Sequence, residues 1–288
     1  MDPIIGFVAA AIRIATPLLW ASLGEVIAER AGVINLAVEG SMLVGCLAAV
    51  FGALSGDPWM GVLAAAGAGL VVSGIFAGVA IWGRTDQIIA GTAVTLASVG
   101  ATGMLYRQLL LDRGAELQLP MLGPVLFGHP APTYLALAAV PVVWWVLQRT
   151  TVGLRLRAVG EAADAARATG IDPRWYQTIA VLVGGLFAGI GGATLVLAQV
   201  GAFAERMTAG RGFIAIAVVV LGRWQPAGVL GAALAFGALT ALQFGFQAMG
   251  LEVPYQFFIM LPYLVALGAL TGVAGRVRPP RGLGRTVP

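Results

Sequence analysis

The chain has no lysine, one cysteine and one histidine, and only 10% of its residues are charged. Each shortage removes a class of mechanism. Without lysine there is no GxxxxGK[ST] loop, so the sequence carries no cradle for nucleotide phosphates. The lone Cys46 permits no internal disulfide, and its setting, MLVGCLAAV, reads as core packing. One cysteine and one histidine far apart offer no metal cluster, and His129, close to Pro130 and Pro132, reads as a surface residue of a loop. An intramembrane protease or transferase needs a nucleophile facing a base, and no such constellation stands out. No cofactor and no metal are expected.

What remains is apolar. Residues of hydrophobic type make up 59% of the chain and the mean hydropathy is +0.91, whereas a soluble domain is about one quarter charged. This composition predicts an all-α integral membrane protein, a polytopic helical bundle forming one transmembrane domain over residues 1–288. The net charge of +4 does not indicate nucleic acid, because all 17 basic residues are arginines and most stand at segment ends. The N-terminus lacks a basic stretch and a clear cleavage site, so it reads as a retained first span.

Apolar stretches of membrane-crossing length place helices near 4–24, 33–54, 59–82, 87–110, 133–148, 175–199, 226–248 and 255–273, with a short one at 211–222. Arg149, Arg155, Arg157, Arg167 and Arg174 fall in one loop, and Arg276, Arg278, Arg281 and Arg285 in the tail, so both are expected inside, with Arg30 and Arg84. The 112–132 loop, with Asp112, Glu116 and His129, and the N-terminus are then outside. Keeping the tail inside requires the 211–222 segment to cross together with extended backbone that lines a cavity.

Glycine is abundant, at 41 residues. Gly185 with Gly189, and Ala188 with Gly192, repeat at spacing four, the pattern that lets membrane helices approach closely. Polar residues within apolar segments are more specific, since each must find a partner or a cavity. Asn35 and Glu39 are predicted one turn apart on a helix; Gln87, Thr92, Thr95, Ser98 and Thr102 form a hydroxyl-rich stripe on another. Two readings stand for these groups. The hydroxyls either bond back to their own helix or face a polar solute, and Glu39 either borders the solute path or anchors a helix junction.

The stretch 151–176, TVGLRLRAVGEAADAARATGIDPRWY, is a polar segment between apolar ones. Ala162, Ala165, Ala166 and Thr169 fall at i, i+3, i+4 and i+7 of a short helix, with Asp164 and Arg167 pointing elsewhere. Gly170 suits its C′ position, and Asp172-Pro173 reads as the cap and first residue of the next helix. It is either a solvated connector or a docking element for another protein. An internal echo is also present: Glu29-Arg30-Ala31-Gly32 before Val33-Ile34, and Glu205-Arg206 with Ala209 to Gly212 before Phe213-Ile214, as in transporters built from related halves.

The blocks ATPLLWASLGEVIAERAGVINLAVEG (15–40), VGEAADAARATGI (159–171) and MTAGRGFIAIAVVVLGRWQPAGVLGAALAFG (207–237) resemble, in order, those of bacterial ABC importer permeases of the nucleoside, simple-sugar and branched-chain amino-acid group, the third block being closest to the nucleoside and simple-sugar members. The resemblance implies a multi-pass permease of the cytoplasmic (inner) membrane, without ATPase activity of its own. Implied partners are cytoplasmic ATP-binding subunits, a second permease subunit in a heterodimer, an extracytoplasmic solute-binding protein and membrane lipid, with no nucleic acid. Gly160, Glu161, Ala165, Ala166, Gly170 and Ile171 become the ATPase-coupling contact, and Asn35, Glu39, Gln87 and Thr92 candidates for the solute path. Thr95 departs from the asparagine expected there. A branched-chain amino-acid permease and a self-sufficient secondary carrier with Glu39 as its ion site are the alternatives.

Overall fold

The computed structural model describes residues 3–109, 119–248 and 279–285, together with 260, 264 and 268. Its order is α1 Pro3–Arg30, α2 Val38–Ala53, α3 Pro58–Ala77 continued by a π turn Gly78–Trp82, α4 Gln87–Leu109, a hairpin β1 Pro124–Leu126 and β2 His129–Pro130, α5 Ala131–Arg149, α6 Thr151–Glu161, α7 Ala163–Ala168, α8 Pro173–Leu195 continued by a π turn Val196–Val200, α9 Arg211–Leu221 and α10 Pro226–Ala248. Among the described residues, six helices are long and apolar enough to cross a bilayer, and α2 and α9 are shorter apolar helices. The expected all-α polytopic architecture is therefore present. The ninth expected segment, 255–273, lies outside the described residues apart from those three positions, as do Asp112, Glu116, Arg276 and Arg278.

The bundle is organised around α8, and glycine is the reason neighbours come so close. A Cβ built at Gly189 would lie 2.1 Å from the Ala65 carbonyl oxygen of α3, and one at Gly192 would lie 2.3 Å from that of Met42 in α2. The small residues at spacing four thus seat two helices on one. Helix α1 runs antiparallel to α8: Gly24 faces Gly184, Pro17 faces Gly191, and Gln177 Nε2 donates to the Ala31 carbonyl. Cys46 is fully buried, its thiol donating to the Gly192 carbonyl at 3.4 Å, which is the packing role expected of it.

Two ends of the bundle are well defined. At one end, Arg30 Nε donates to the Trp224 carbonyl, Gln87 Nε2 to the Arg285 carbonyl, and Arg84 shares a shallow cleft with Arg167 and Arg174. At the other, Leu122 N donates to the Leu197 carbonyl and Arg107 pairs with Glu205. The arginine-rich end is the one expected inside.

Four local expectations are corrected. Helix α1 continues to Arg30, because Glu25 and Glu29, which look like the polar end of a span, are buried in its last turns. Helix α2 starts at Val38 and not at 33: in the largely buried turn 31–37 the N–H groups of Ala31 to Val33 bond back to the end of α1 and those of Ile34 and Asn35 are taken by side chains, so an apolar run there is not helical. Residues 151–169 form two helices, broken at Ala162 (φ −154°, ψ 83°). His129 is buried, its ring edge-on to Tyr134, because the short hairpin folds onto the start of α5.

The echo in the sequence corresponds to a repeated arrangement. A long helix ends (α1, and α8 with its π turn), an irregular segment turns back into the bundle (31–37, and 201–210), and a short apolar helix follows (α2 and α9). Because α1 and α8 are antiparallel, the two copies are inverted, and the starts of their short helices meet inside the bundle. The 201–210 segment and α9 together run from the end marked by the Arg107–Glu205 pair to the end where Arg30 meets Trp224.

Candidate functional site

That meeting point is held by Glu39. Its Oε1 accepts from Thr208 Oγ1 (2.6 Å) and from the Gly210 N–H (3.0 Å), and its Oε2 accepts from the Gly212 N–H (2.7 Å). Gly210 is the N-cap of α9 at φ +81°, a left-handed conformation that glycine enters without steric cost and that turns the loop into the helix. The first N–H groups of α9 would otherwise be orphaned in an apolar interior, and a carboxylate there also meets the positive end of the helix dipole. Glu39 thus acts as a cap supplied from another helix. Arg211 closes the same turn from its other side, Nη1 donating to the Met207 and Thr208 carbonyls.

Asn35 and Glu39 are not successive turns of one helix, since Asn35 lies in the 31–37 turn before α2. Its N–H donates to Glu25 Oε1 (3.0 Å), while both polar atoms of its buried side chain are without a partner. Gln87, the first residue of α4, ties this turn to the tail: Oε1 accepts from the Ile34 N–H at 2.9 Å and Nε2 donates to the Arg285 carbonyl at 3.3 Å. The structure therefore brings Asn35 and Gln87 to one turn at the arginine-rich end.

The hydroxyl stripe of α4 mostly bonds to its own helix. Thr92 Oγ1 donates to the Ile88 carbonyl, Ser98 to Val94 and Thr102 to Ser98. Thr95 is different: it donates across to the Leu36 carbonyl at 3.0 Å and so fastens α4 to the turn before α2. Thr92 stands on the exposed side of α4, whereas Thr95, Ser98 and Thr102 face inward.

Two buried carboxyls escaped the sequence reading. Glu25 and Glu29 stand one turn apart at the end of α1; Glu29 Oε2 accepts from Trp224 Nε1, and Glu25 Oε2 and Glu29 Oε1 have no partner. Their i, i+4 spacing was the available signal.

At the same end, α6 and α7 form the polar outcrop. Gly160 packs without clearance, a built Cβ lying 2.1 Å from the Arg30 carbonyl oxygen, and its own carbonyl accepts from the Gly282 N–H. Glu161 is exposed, its Oε2 accepting from the Arg281 N–H. In α7 the small-residue stripe divides: Ala166 is buried, and Ala165 is exposed. The helix closes as expected, with Gly170 at φ +82° and paired bonds from Gly170 N to the Arg167 carbonyl and from Ile171 N to that of Ala166. Asp172 then caps α8 through the Arg174 N–H.

Comparison with known proteins gives this architecture a family. The chain is 36% identical to the guanosine ABC transporter permease protein NupQ of Bacillus subtilis, covering 96% of this chain and 94% of that one. It is 32% identical to the nucleoside ABC transporter permease protein NupC of Lactococcus lactis, covering 93% and 92%. With the putative glucose ABC transporter permease protein TsgC13 of Haloferax volcanii it shares 39% identity, covering 86% and 80%. The family described as branched-chain amino acid transport system, permease component, matches residues 7–270, and the chain belongs to it, as a multi-pass ABC permease of the cytoplasmic membrane.

Proposed function

We propose that this chain is one permease subunit of an ATP-driven importer for a nucleoside or a simple sugar. Cytoplasmic ATPases turn over the nucleotide, an extracytoplasmic binding protein delivers the solute, and a second, different permease completes the path. The relatives named for guanosine, nucleosides and glucose support the solute class. That two Bacillus and two Lactococcus relatives carry paired names supports a heterodimer.

The observation that carries the coupling reading is a continuous set of contacts. The exposed side of α7, with Ala165 and Gly170, is assigned to the ATPase groove together with Glu161. Ile171 and buried Ala166 hold the end of α7 behind it. Gly160 lies against Arg30 and Gly32 at the 31–37 turn, which precedes α2, and α2 carries Glu39, the cap of α9. A push on the outcrop thus has packed backbone to act on as far as both short helices. Along this route Asn35 retains unused amide groups and Thr92 faces outward, so these two are assigned to the path. Glu39 and Gln87, whose oxygens are taken by backbone and hydroxyl donors, hold its walls. An ion-binding role for Glu39 fits less well, since three donors already occupy it.

Affinity purification of the tagged chain from membranes tests this assignment. ATPase and second-permease subunits should co-purify, and Ala165→Glu should remove the ATPase while retaining the permease. Recovery of the chain without either subunit, under conditions that preserve other importers, contradicts the proposal.

A further inference from the structure

A second polar cleft, besides the shallow one beside Arg84, is open to solvent. It lies between the last turns of α4 and the 201–210 segment, at the end opposite the coupling outcrop, with a volume of 460 Å³. Ligand pockets commonly fall between about 300 and 1,000 Å³. Its wall includes Thr102, Gly103, Arg107, Gln108, Glu205 and Arg206.

Arg107 and Glu205 meet there in a two-point pair, Nε to Oε1 at 2.7 Å and Nη2 to Oε2 at 3.1 Å. Their side chains are 67% and 37% exposed. An exposed pair of this kind adds little to stability, so its placement is not explained by the fold. It does have unused capacity. Guanidinium carries five N–H donors, of which the pair uses two, and each carboxylate oxygen can accept more than the one bond it receives. Free donors and free acceptors therefore stand side by side. The Arg107 guanidinium and the nearby Arg206 charge hold the Glu205 carboxyl below the usual carboxylate range, so the pair stays ionised at neutral pH. Arg206, which also lines the cleft, has φ +57°, a conformation that non-glycine residues rarely take. Gly103 leaves the floor open: a Cβ there would find nothing nearer than Glu205 Oε2, at 4.0 Å.

We infer that this cleft is the outer solute site and that the Arg107–Glu205 pair reads a vicinal diol, one hydroxyl donating to the carboxylate while a hydroxyl oxygen accepts from the guanidinium. The diol is the group that a ribonucleoside and a simple sugar share. Glu205 and Arg206 belong to the segment whose end Glu39 holds, so the cleft and the start of α9 at Arg211 are separated only by residues 207–210. This inference rests on the importer reading above.

The test uses the whole importer in proteoliposomes, with ATPase subunits, second permease and binding protein, and guanosine and D-glucose as separate probes. Two readouts are taken: ATP-dependent uptake, and ATP hydrolysis stimulated by the binding protein without solute. Glu205→Gln and Gln108→Ala should each lower uptake of the transported probe, the first at least tenfold, with stimulated hydrolysis within twofold of the parent. The exchange Arg107→Glu with Glu205→Arg should leave uptake low, because it rebuilds the pair but inverts the groups offered to the diol. Unchanged uptake in Glu205→Gln overturns the site. Uptake and stimulated hydrolysis falling together mark the cleft as a docking surface for the binding protein and overturn it as well, and full recovery in the exchange reduces the pair to a structural link. A parent that moves neither probe with ATP overturns the importer reading itself, a separate result.

Discussion

The backbone N–H of Gly282 donates to the carbonyl of Gly160 at 2.8 Å, joining the tail of the chain to the end of α6. Two further bonds extend this clasp, from Gly284 N to the Gly32 carbonyl and from Gln87 Nε2 to that of Arg285. The tail therefore lies across the coupling outcrop, the turn before α2 and the start of α4.

Removing the residues from 279 onward should loosen this link without unfolding the bundle. Each such bond contributes a net of about 0.5–1.5 kcal/mol, so a fall of a few degrees in melting temperature is expected. Transport per ATP hydrolysed should drop more than hydrolysis does. Equal coupling in the truncated and full chains would show the tail to be a passive cover.

Substitution of Glu39 separates cap from solute contact. Glu39→Ala leaves Thr208 and the N–H groups of Gly210 and Gly212 without their acceptor. Buried unsatisfied donors cost about 1–3 kcal/mol each, so the melting temperature should fall sharply, and Glu39→Gln should recover part of the loss. A Glu39→Ala protein as stable as the parent but altered in solute preference would make Glu39 a path residue and not a cap.

The two alanines of α7 should behave differently. Ala165 is exposed, so Ala165→Glu should change stability by less than about 0.5 kcal/mol yet reduce uptake severely. Ala166 is buried, and Ala166→Glu should destabilise the outcrop itself. Thermal unfolding measured beside uptake checks both; if Ala165→Glu transports normally, the groove contact lies elsewhere.

Orientation can be read by thiol labelling, because the native Cys46 is buried and gives little background. A cysteine at Phe127, which is 85% exposed on the hairpin, should react in intact cells. One at Asp164, on the opposite end, should react only after permeabilisation. The reverse pattern would invert the topology.

Much of this was legible in the sequence because the bilayer imposes simple rules. Apolar length marked the spans, arginine position marked one end, and Gly170 with Asp172-Pro173 marked the end of α7 and the start of α8. The 31–37 turn was not legible, since a buried irregular segment of a membrane protein is as apolar as a helix, and several of its hydrogen bonds come from residues distant in sequence, Gln87, Thr95 and Gln177. Glu25 and Glu29 looked like a hydrophilic terminus for the same reason: sequence reports polarity, whereas burial depends on what packs outside, here Trp224 against Glu29. Asn35, Glu39, Gln87 and Thr92 share polarity inside apolar segments, and polarity alone does not distinguish a group facing a solute from one capping a helix or tying a turn.

The central claim is ATP-driven import of a polyhydroxyl solute, and its most direct test is uptake by the reconstituted importer over a panel of guanosine, uridine, D-glucose and leucine, with and without ATP and with an imposed proton gradient. A nucleoside or glucose should accumulate only with ATP, the ATPase subunits and the binding protein, whatever the gradient. Uptake driven by the gradient alone, or ATP-dependent uptake confined to leucine, would contradict it.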